Sequence, residues 1–322
     1  MILRSEWSSW EATVPDLRVR GIAVHSIVAA AVVLLAAPAH AEVPGAPGTS
    51  GCGSGDVRTG ETVSREIVSG GVARSYLLHV PESYAPERPT PVVLSFHGHS
   101  RDSAYQEELS EFSGTDVIAV YPQGLVGTDG ETAWQGAPYS ADVDDVRFTG
   151  DVLDELERDL CVDPARIYAA GKSNGGGFTG VLACRMSDRI AAFAPVSGAF
   201  YPQGGECDPD RPAPILDFHG AVDETIPYDG DEERGLPPIP DWLAGWAERN
   251  GCQAEPVTRD EGDGVHRVEH RGCDGGAEIV HYRMDSVAHD WPATHPNPDS
   301  DAPAPIDATP LIMDFFSRHS LR

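Results

Sequence analysis

Lysine is almost missing from the chain: Lys172 is the only one, and arginine supplies the rest of the 23 basic residues. Against 51 Asp and Glu they leave a formal net charge of -28. A surface of that sign repels phosphate backbones, which excludes a nucleic-acid partner. Long apolar runs are equally scarce. The one candidate, Ile22 to Ala37, is interrupted by His25 and Ser26 and falls short of the roughly 20 apolar residues that a bilayer core requires. No charged stop-transfer segment follows it, so no stable membrane association is expected. A Cys-x-x-Cys spacing is absent, which disfavours a zinc site. No internal repeat and no linker leading to a second domain is visible. Hydrophobic residues at 40% and charged residues at 23% are ordinary globular proportions and exclude wholesale disorder or a fibrous repeat.

Arg18 and Arg20 precede the apolar run and Ala39-His40-Ala41 follows it, so residues 1–41 read as a secretory signal, with a retained anchor as the alternative. Trp7, Trp10 and three acidic residues within 1–17 do not suit the start of a signal and argue that translation begins further in. Removing 41 of 322 residues leaves 281, the length of one large α/β domain. Residues 42–55 are rich in Gly, Pro, Ser and Thr and read as a flexible leader; a single domain is expected over 56–322. Cys52, Cys161, Cys184, Cys207, Cys252 and Cys273 are an even set in a chain read as exported, so three disulfides are expected. Fifteen pairings are possible, and Cys252 with Cys273 could close one polar excursion as a local loop.

From Thr62 to Val80 apolar residues alternate around Gly70-Gly71, the pattern of an antiparallel hairpin. Short runs apolar on both faces follow at 91–98, 116–124, 166–177, 190–198 and 213–220, as central strands of a parallel sheet require. Phe148, Val152, Leu156 and Leu160 recur every four residues, predicting an amphipathic crossover helix. Further helices are expected over 240–250 and 310–318, and a late strand over 277–284. The fold class is therefore α/β: a doubly wound, mostly parallel sheet with an N-terminal antiparallel hairpin.

Gly171-Lys172-Ser173-Asn174-Gly175 follows the strand-like Ile167-Tyr168-Ala169-Ala170 and precedes a helical stretch. Strand, Gly-x-Ser-x-Gly, helix is the context of a nucleophile elbow, which makes Ser173 the candidate nucleophile and the fold an α/β-hydrolase. The alternative is a glycine-rich turn that merely binds an anion; a Walker loop does not fit, because its glycine spacing is missing. A serine hydroxyl needs a histidine to take its proton and a carboxylate to orient that histidine, in the chain order serine, acid, histidine. Asp223 follows an apolar strand and is the favoured acid over Asp217, Glu224 and Asp229. His289 follows the last strand and is the favoured base over His266, His270, His281, His295 and His319. Backbone N–H groups of Asn174 and His99 are the expected oxyanion donors. His97 and His99 have no third ligand in view and read as structural rather than as a metal pair.

The segments LSFHGH, VYPQG, AWQGAPY, VDDVRF, GKSNGGGFTG, FAPVSGA, ILDFHGAVDETIPY, WAERNGC, AHDWP and IMDFF together resemble a secreted feruloyl esterase of carbohydrate esterase family one. They are similar, at greater distance, to polyhydroxybutyrate depolymerases. The resemblance runs from about Cys52 to Phe316 and implies the same triad, Ser173, Asp223 and His289. It also implies that Trp134, Gln135 and Trp291 line a cleft for a hydroxycinnamoyl ring, while Asp144 and Asp145 look structural, as carboxylates at a helix start. Ala288 departs from the glycine that many relatives carry before the histidine.

The expected activity is thus extracellular hydrolysis of feruloyl esters on plant cell-wall polysaccharide through an acyl-enzyme. The substrate is a feruloylated polysaccharide or small aryl ester, and no cofactor is required. A monomer is expected. Polyhydroxyalkanoate depolymerase, acetyl-xylan esterase and a catalytically silent carbohydrate-binding protein on the same fold are the alternatives.

Overall fold

A computed structural model describes residues 48–55 and 57–321; the expected signal segment lies outside them. Strands β1 (Thr62–Ser69) and β2 (Val72–His79) form the N-terminal hairpin, turning at Gly70-Gly71, both with positive φ. The chain continues through β3 (Thr90–Phe96), helix α1 (Ser103–Ser110), β4 (Ile118–Pro122) and a two-stranded flap of β5 (Leu125–Val126) and β6 (Thr132–Ala133). Next come α2 (Asp145–Asp159), β7 (Val162–Lys172), α3 (Asn174–Arg185), β8 (Ala192–Val196), β9 (Ile215–Gly220) and α4 (Ile239–Arg249). Strands β10 (Val257–Gly262), β11 (Val265–His270) and β12 (Ile279–Met284), then α5 (Ala308–Ser317), complete it.

Among the described residues ten strands make one sheet in the order β1-β2-β4-β3-β7-β8-β9-β12-β11-β10. The six central strands, β4 to β12 in that order, pair parallel, and an antiparallel hairpin flanks them at each edge. Alternation along the strands feeds two cores. Val92, Leu94 and Phe96 pack with Phe148 of α2, Leu182 of α3 and Trp246 of α4 on one face. Val93 and Tyr121 pack with Leu109 of α1 and Phe315 of α5 on the other. Helix α2 starts as expected: Asp144 caps it by accepting from Arg147 N at 2.8 Å, and Asp145 pairs with buried Arg74 at 2.7 Å.

The second edge hairpin, β10–β11, departs from the sequence expectation. It occupies the charged excursion between Cys252 and Cys273, and every residue of β10 is exposed. A strand with no buried face shows no apolar alternation, and its charges protect a free sheet edge from pairing with another chain. The three disulfides pair Cys52 with Cys161, Cys184 with Cys207, and Cys252 with Cys273. The described part of the glycine-rich stretch before the first strand is anchored: Gly51 N donates to Glu157 O at 3.0 Å, and Thr49 Oγ1 to Leu160 O at 2.8 Å.

The chain runs outward from β3 to β4, then returns to place β7 on the other side of β3. Such a reversal opens a crevice beyond the carboxyl ends of the two strands, where open α/β sheets bind ligands. The segments leaving β3 and β7 there are Gly98-His99 and Ser173.

Candidate active site

Ser173 stands between the last residue of β7 and the first of α3 with φ 56° and ψ -120°, a left-handed conformation uncommon for a residue with a Cβ. Three backbone bonds hold it. Ser173 N donates to Val196 O at 2.9 Å, and Ser173 O accepts from Gly177 N and Ala199 N, each at 2.9 Å. The flanking glycines are dictated by approach: a Cβ on Gly171 would meet Gly175 O at 2.4 Å, and one on Gly175 would meet Phe96 O at 2.2 Å. This packing sets Ser173 at the positive end of a 12-residue helix.

Asp223 and His289 come from the loops after β9 and β12, parallel neighbours in the sheet. His289 Nδ1 lies 2.7 Å from Asp223 Oδ2, and the carboxylate is fully buried. Its other oxygen accepts from Thr225 N at 2.9 Å and Ile226 N at 2.8 Å. Burial alone would raise the Asp223 pKa, but hydrogen bonds from His219 and His289 outweigh it and hold the group well below the usual carboxylate range. The His289 pKa is lowered by burial and by the Lys172 charge, against the pull of Asp223. A neutral imidazole with Nδ1–H fixed on the carboxylate leaves Nε2 as a proton acceptor.

The rival acid and base satisfy each other elsewhere. Asp217 and His281 face one another across β9 and β12, 2.7 Å apart and buried inside the sheet, and His281 Nε2 meets Tyr228 Oη at 3.1 Å. Glu224 and Asp229 point to solvent. His266 pairs with Asp285, His295 with Glu111 and His319 with Glu278, while His270 stays buried in β11.

The turn at Gly98 and His99 lies beside the serine, since a Cβ on Gly98 would sit 3.4 Å from Ser173 Cβ. Buried His97 braces it. Its Nδ1–H donates to Gly98 O at 2.7 Å and its Nε2 accepts from Gly124 N at 3.0 Å, the one neutral tautomer that serves both. Burial pushes the His97 pKa down to about 4, so its role is structural. The backbone N–H groups of His99 and Asn174 find no acceptor among the described residues, as oxyanion donors require.

Of the three residues expected to line a cleft, the two tryptophans are buried away from any ligand and Gln135 is half-buried. Trp134 is fully buried, stacked on Phe178 with its ring N–H donated to His97 O at 2.9 Å. Trp291 is 1% exposed, edge-on to Phe112 and bonded to Thr309. Gln135 exchanges bonds with Asp145 at the start of α2. A tryptophan next to a loop motif is indistinguishable in sequence from one in the core, and here both supply core volume. The aromatic faces near the serine are instead Tyr139, whose ring lies 4.4 Å from that of His99, and Tyr201, 5.9 Å from Tyr139. Ala137, Ala199, Ile226 and Leu236 complete that apolar cluster. His219, 3.3 Å from Asp223 Oδ2, carries no signal in the sequence: it lies inside an apolar strand, where nothing distinguishes it from a packed histidine.

No family model matches the chain. Among curated proteins it is similar to feruloyl esterase B of Piromyces equi, 31% identical over 220 residues, covering 64% of this chain and 40% of that one. It is also similar to feruloyl esterase D of Neurospora crassa, 27% identical over 80% of this chain and 87% of the relative. The chain is thus similar in sequence to named feruloyl esterases. It nevertheless spans less than half the length of the Piromyces relative. Among solved structures, an acetyl xylan esterase from Aspergillus awamori superposes with a TM-score of 0.57 over 79% of this chain at 14% identity, a likeness of fold that agrees with the α/β-hydrolase architecture.

Proposed function

We propose that the protein is a secreted serine esterase that hydrolyses hydroxycinnamoyl esters of plant cell-wall polysaccharide. Ser173 attacks the ester carbonyl while His289 Nε2 takes its proton, and Asp223 holds the imidazole through Nδ1. The amides of His99 and Asn174 receive the oxyanion, collapse expels the sugar alkoxide with the proton from His289, and water then releases the acid by the same steps. The observation that carries this reading is the 2.7 Å Asp223–His289 contact, made by loops at the end of the sheet where the strained Ser173 stands. Tyr139 and Tyr201 are the aromatic faces offered to the acyl ring. Three disulfides support an oxidising, extracellular setting. No described helix is long and apolar enough to cross a membrane.

Hydrolysis of methyl ferulate, run beside a short-chain nitrophenyl ester and repeated with Ser173→Ala, tests this. Ferulate release abolished by the substitution is expected. Turnover of the short ester alone would shift the substrate towards acetyl groups, and turnover unaffected by Ser173→Ala would end the serine mechanism.

A further inference from the structure

The only lysine in the chain sits inside the elbow, beside Ser173. Its ammonium is buried with Asp299, Nζ to Oδ2 2.7 Å, the two side chains 8% and 3% exposed. Asp299 belongs to the loop after His289 and collects two further donors: Tyr105 Oη from α1 at 2.5 Å and the backbone N of Trp291 at 2.9 Å. Asn297 holds the other end of the same residue, donating from Nδ2 to Trp291 O at 2.8 Å. The backbone two residues beyond His289 is therefore clamped at both its polar groups by one turn, and that turn is tied through Asp299 to the residue preceding the nucleophile.

We propose that Lys172 and Asp299 are positioning residues for the esterase reaction, a buried charged strut that sets the His289 loop against the nucleophile elbow. The inference rests on Ser173, Asp223 and His289 acting as the triad. Stability alone gives weak reason for such a pair, since desolvating two ions offsets most of their attraction and an apolar pair of the same volume serves as well. The other bonds to the histidine loop come from neighbouring strands rather than from the elbow: Ser197 Oγ, after β8, donates to Asp290 O at 3.0 Å, and after β9 Val222 N donates to Val287 O at 3.3 Å and Asp223 meets His289. The charged and titratable groups facing His289 are Asp223 and His219 from β9 and its loop, Lys172 from β7, and the adjacent Asp290. Asp223 favours the imidazolium; Lys172 and His219 oppose it.

The test compares Lys172→Met/Asp299→Asn, which removes both charges while keeping shape, with Lys172→Arg, which keeps the cation. Methyl ferulate turnover is followed from pH 5 to 9, with melting temperature as a check on folding. The double variant is expected to lose about tenfold in kcat or more with KM within about twofold, the signature of a lost transition-state geometry rather than of lost binding. The acid limb of its kcat/KM profile should move to higher pH, and Lys172→Arg should recover most of the rate. A folded double variant with wild-type kcat and an unmoved acid limb overturns the proposal. If the double variant does not fold, Tyr105→Phe, which removes one donor to Asp299 and keeps the pair, should still lower kcat at constant KM; unchanged kcat there overturns the proposal equally. Failure of the triad reading is separate, since it would show as turnover surviving Ser173→Ala.

Discussion

Asp223→Asn is the perturbation whose outcome the geometry fixes most tightly. One carboxylate oxygen accepts from Thr225 N and Ile226 N at 2.9 and 2.8 Å, and the other faces His289 Nδ1 at 2.7 Å and His219 Nε2 at 3.3 Å. An asparagine must put its oxygen on one side and its amide hydrogens on the other. Facing the oxygen towards the histidines would strand two buried backbone donors, at a cost of about 1–3 kcal/mol each. The amide group therefore turns towards His289 and donates to Nδ1, which forces the proton onto Nε2, the atom that must accept from Ser173. His219 cannot relieve this, because its Nε2–H also donates, to Ile226 O at 2.8 Å. A base held in the wrong tautomer costs about 10⁴-fold in kcat in serine hydrolases, or about 5 kcal/mol of barrier. Steady-state hydrolysis of methyl ferulate gives kcat, and a melting curve confirms the fold. A folded Asp223→Asn enzyme within tenfold of wild-type kcat would refute both the assignment of Asp223 and the argument from its two faces.

Gly175→Ala should destabilise the protein by more than the roughly 1–3 kcal/mol typical of overpacking, because its Cβ would meet two backbone carbonyls, Phe96 O at 2.2 Å and His97 O at 2.5 Å; a melting temperature within two or three degrees of wild type, ~1 kcal/mol, would contradict the close approach of α3 to β3. The lowered His289 pKa keeps the base neutral to below its ordinary value of 6.5, so the acid limb of kcat/KM should be centred below pH 6.5, and a limb centred above it would be inconsistent. Stability should move in the same direction, since His97 refuses a proton that the unfolded chain accepts; between pH 6.5 and about 4 this removes on the order of 3 kcal/mol, visible as a falling melting temperature.

Much of the site is legible in the sequence because a strained turn leaves local marks. The glycines around Ser173 are forced by backbone contact, and Asp223 and His289 each stand just past an apolar strand. The parallel core is legible for a related reason: strands covered on both faces are apolar throughout, so β3, β4, β7, β8 and β9 announce themselves. What escapes is set by packing at a distance. Strand β10 is exposed along its whole length and so carries no period, while β11 puts Val265 into the core amid charged neighbours. Trp134 and Trp291 sit beside motif residues in sequence but point into the cores. Asp217 and His281 show that a carboxylate and a histidine in the right chain order can pair inside the sheet without facing any nucleophile. Asp223 and His289 stand 66 positions apart, and the segment between them carries no mark of their contact.

The burial of the only lysine also shapes how the molecule can be handled. Reagents that seek lysine amines, such as succinimidyl esters or aldehyde resins, meet no lysine on the surface and can reach the one they seek only by entering beside the nucleophile. Tagging or immobilisation through that chemistry would therefore give little product, and what side-chain product formed would be inactive. The abundant surface carboxylates are the appropriate handles, and a lysine placed by substitution on an exposed strand such as β10 would become a single-site attachment point far along the sheet from Ser173.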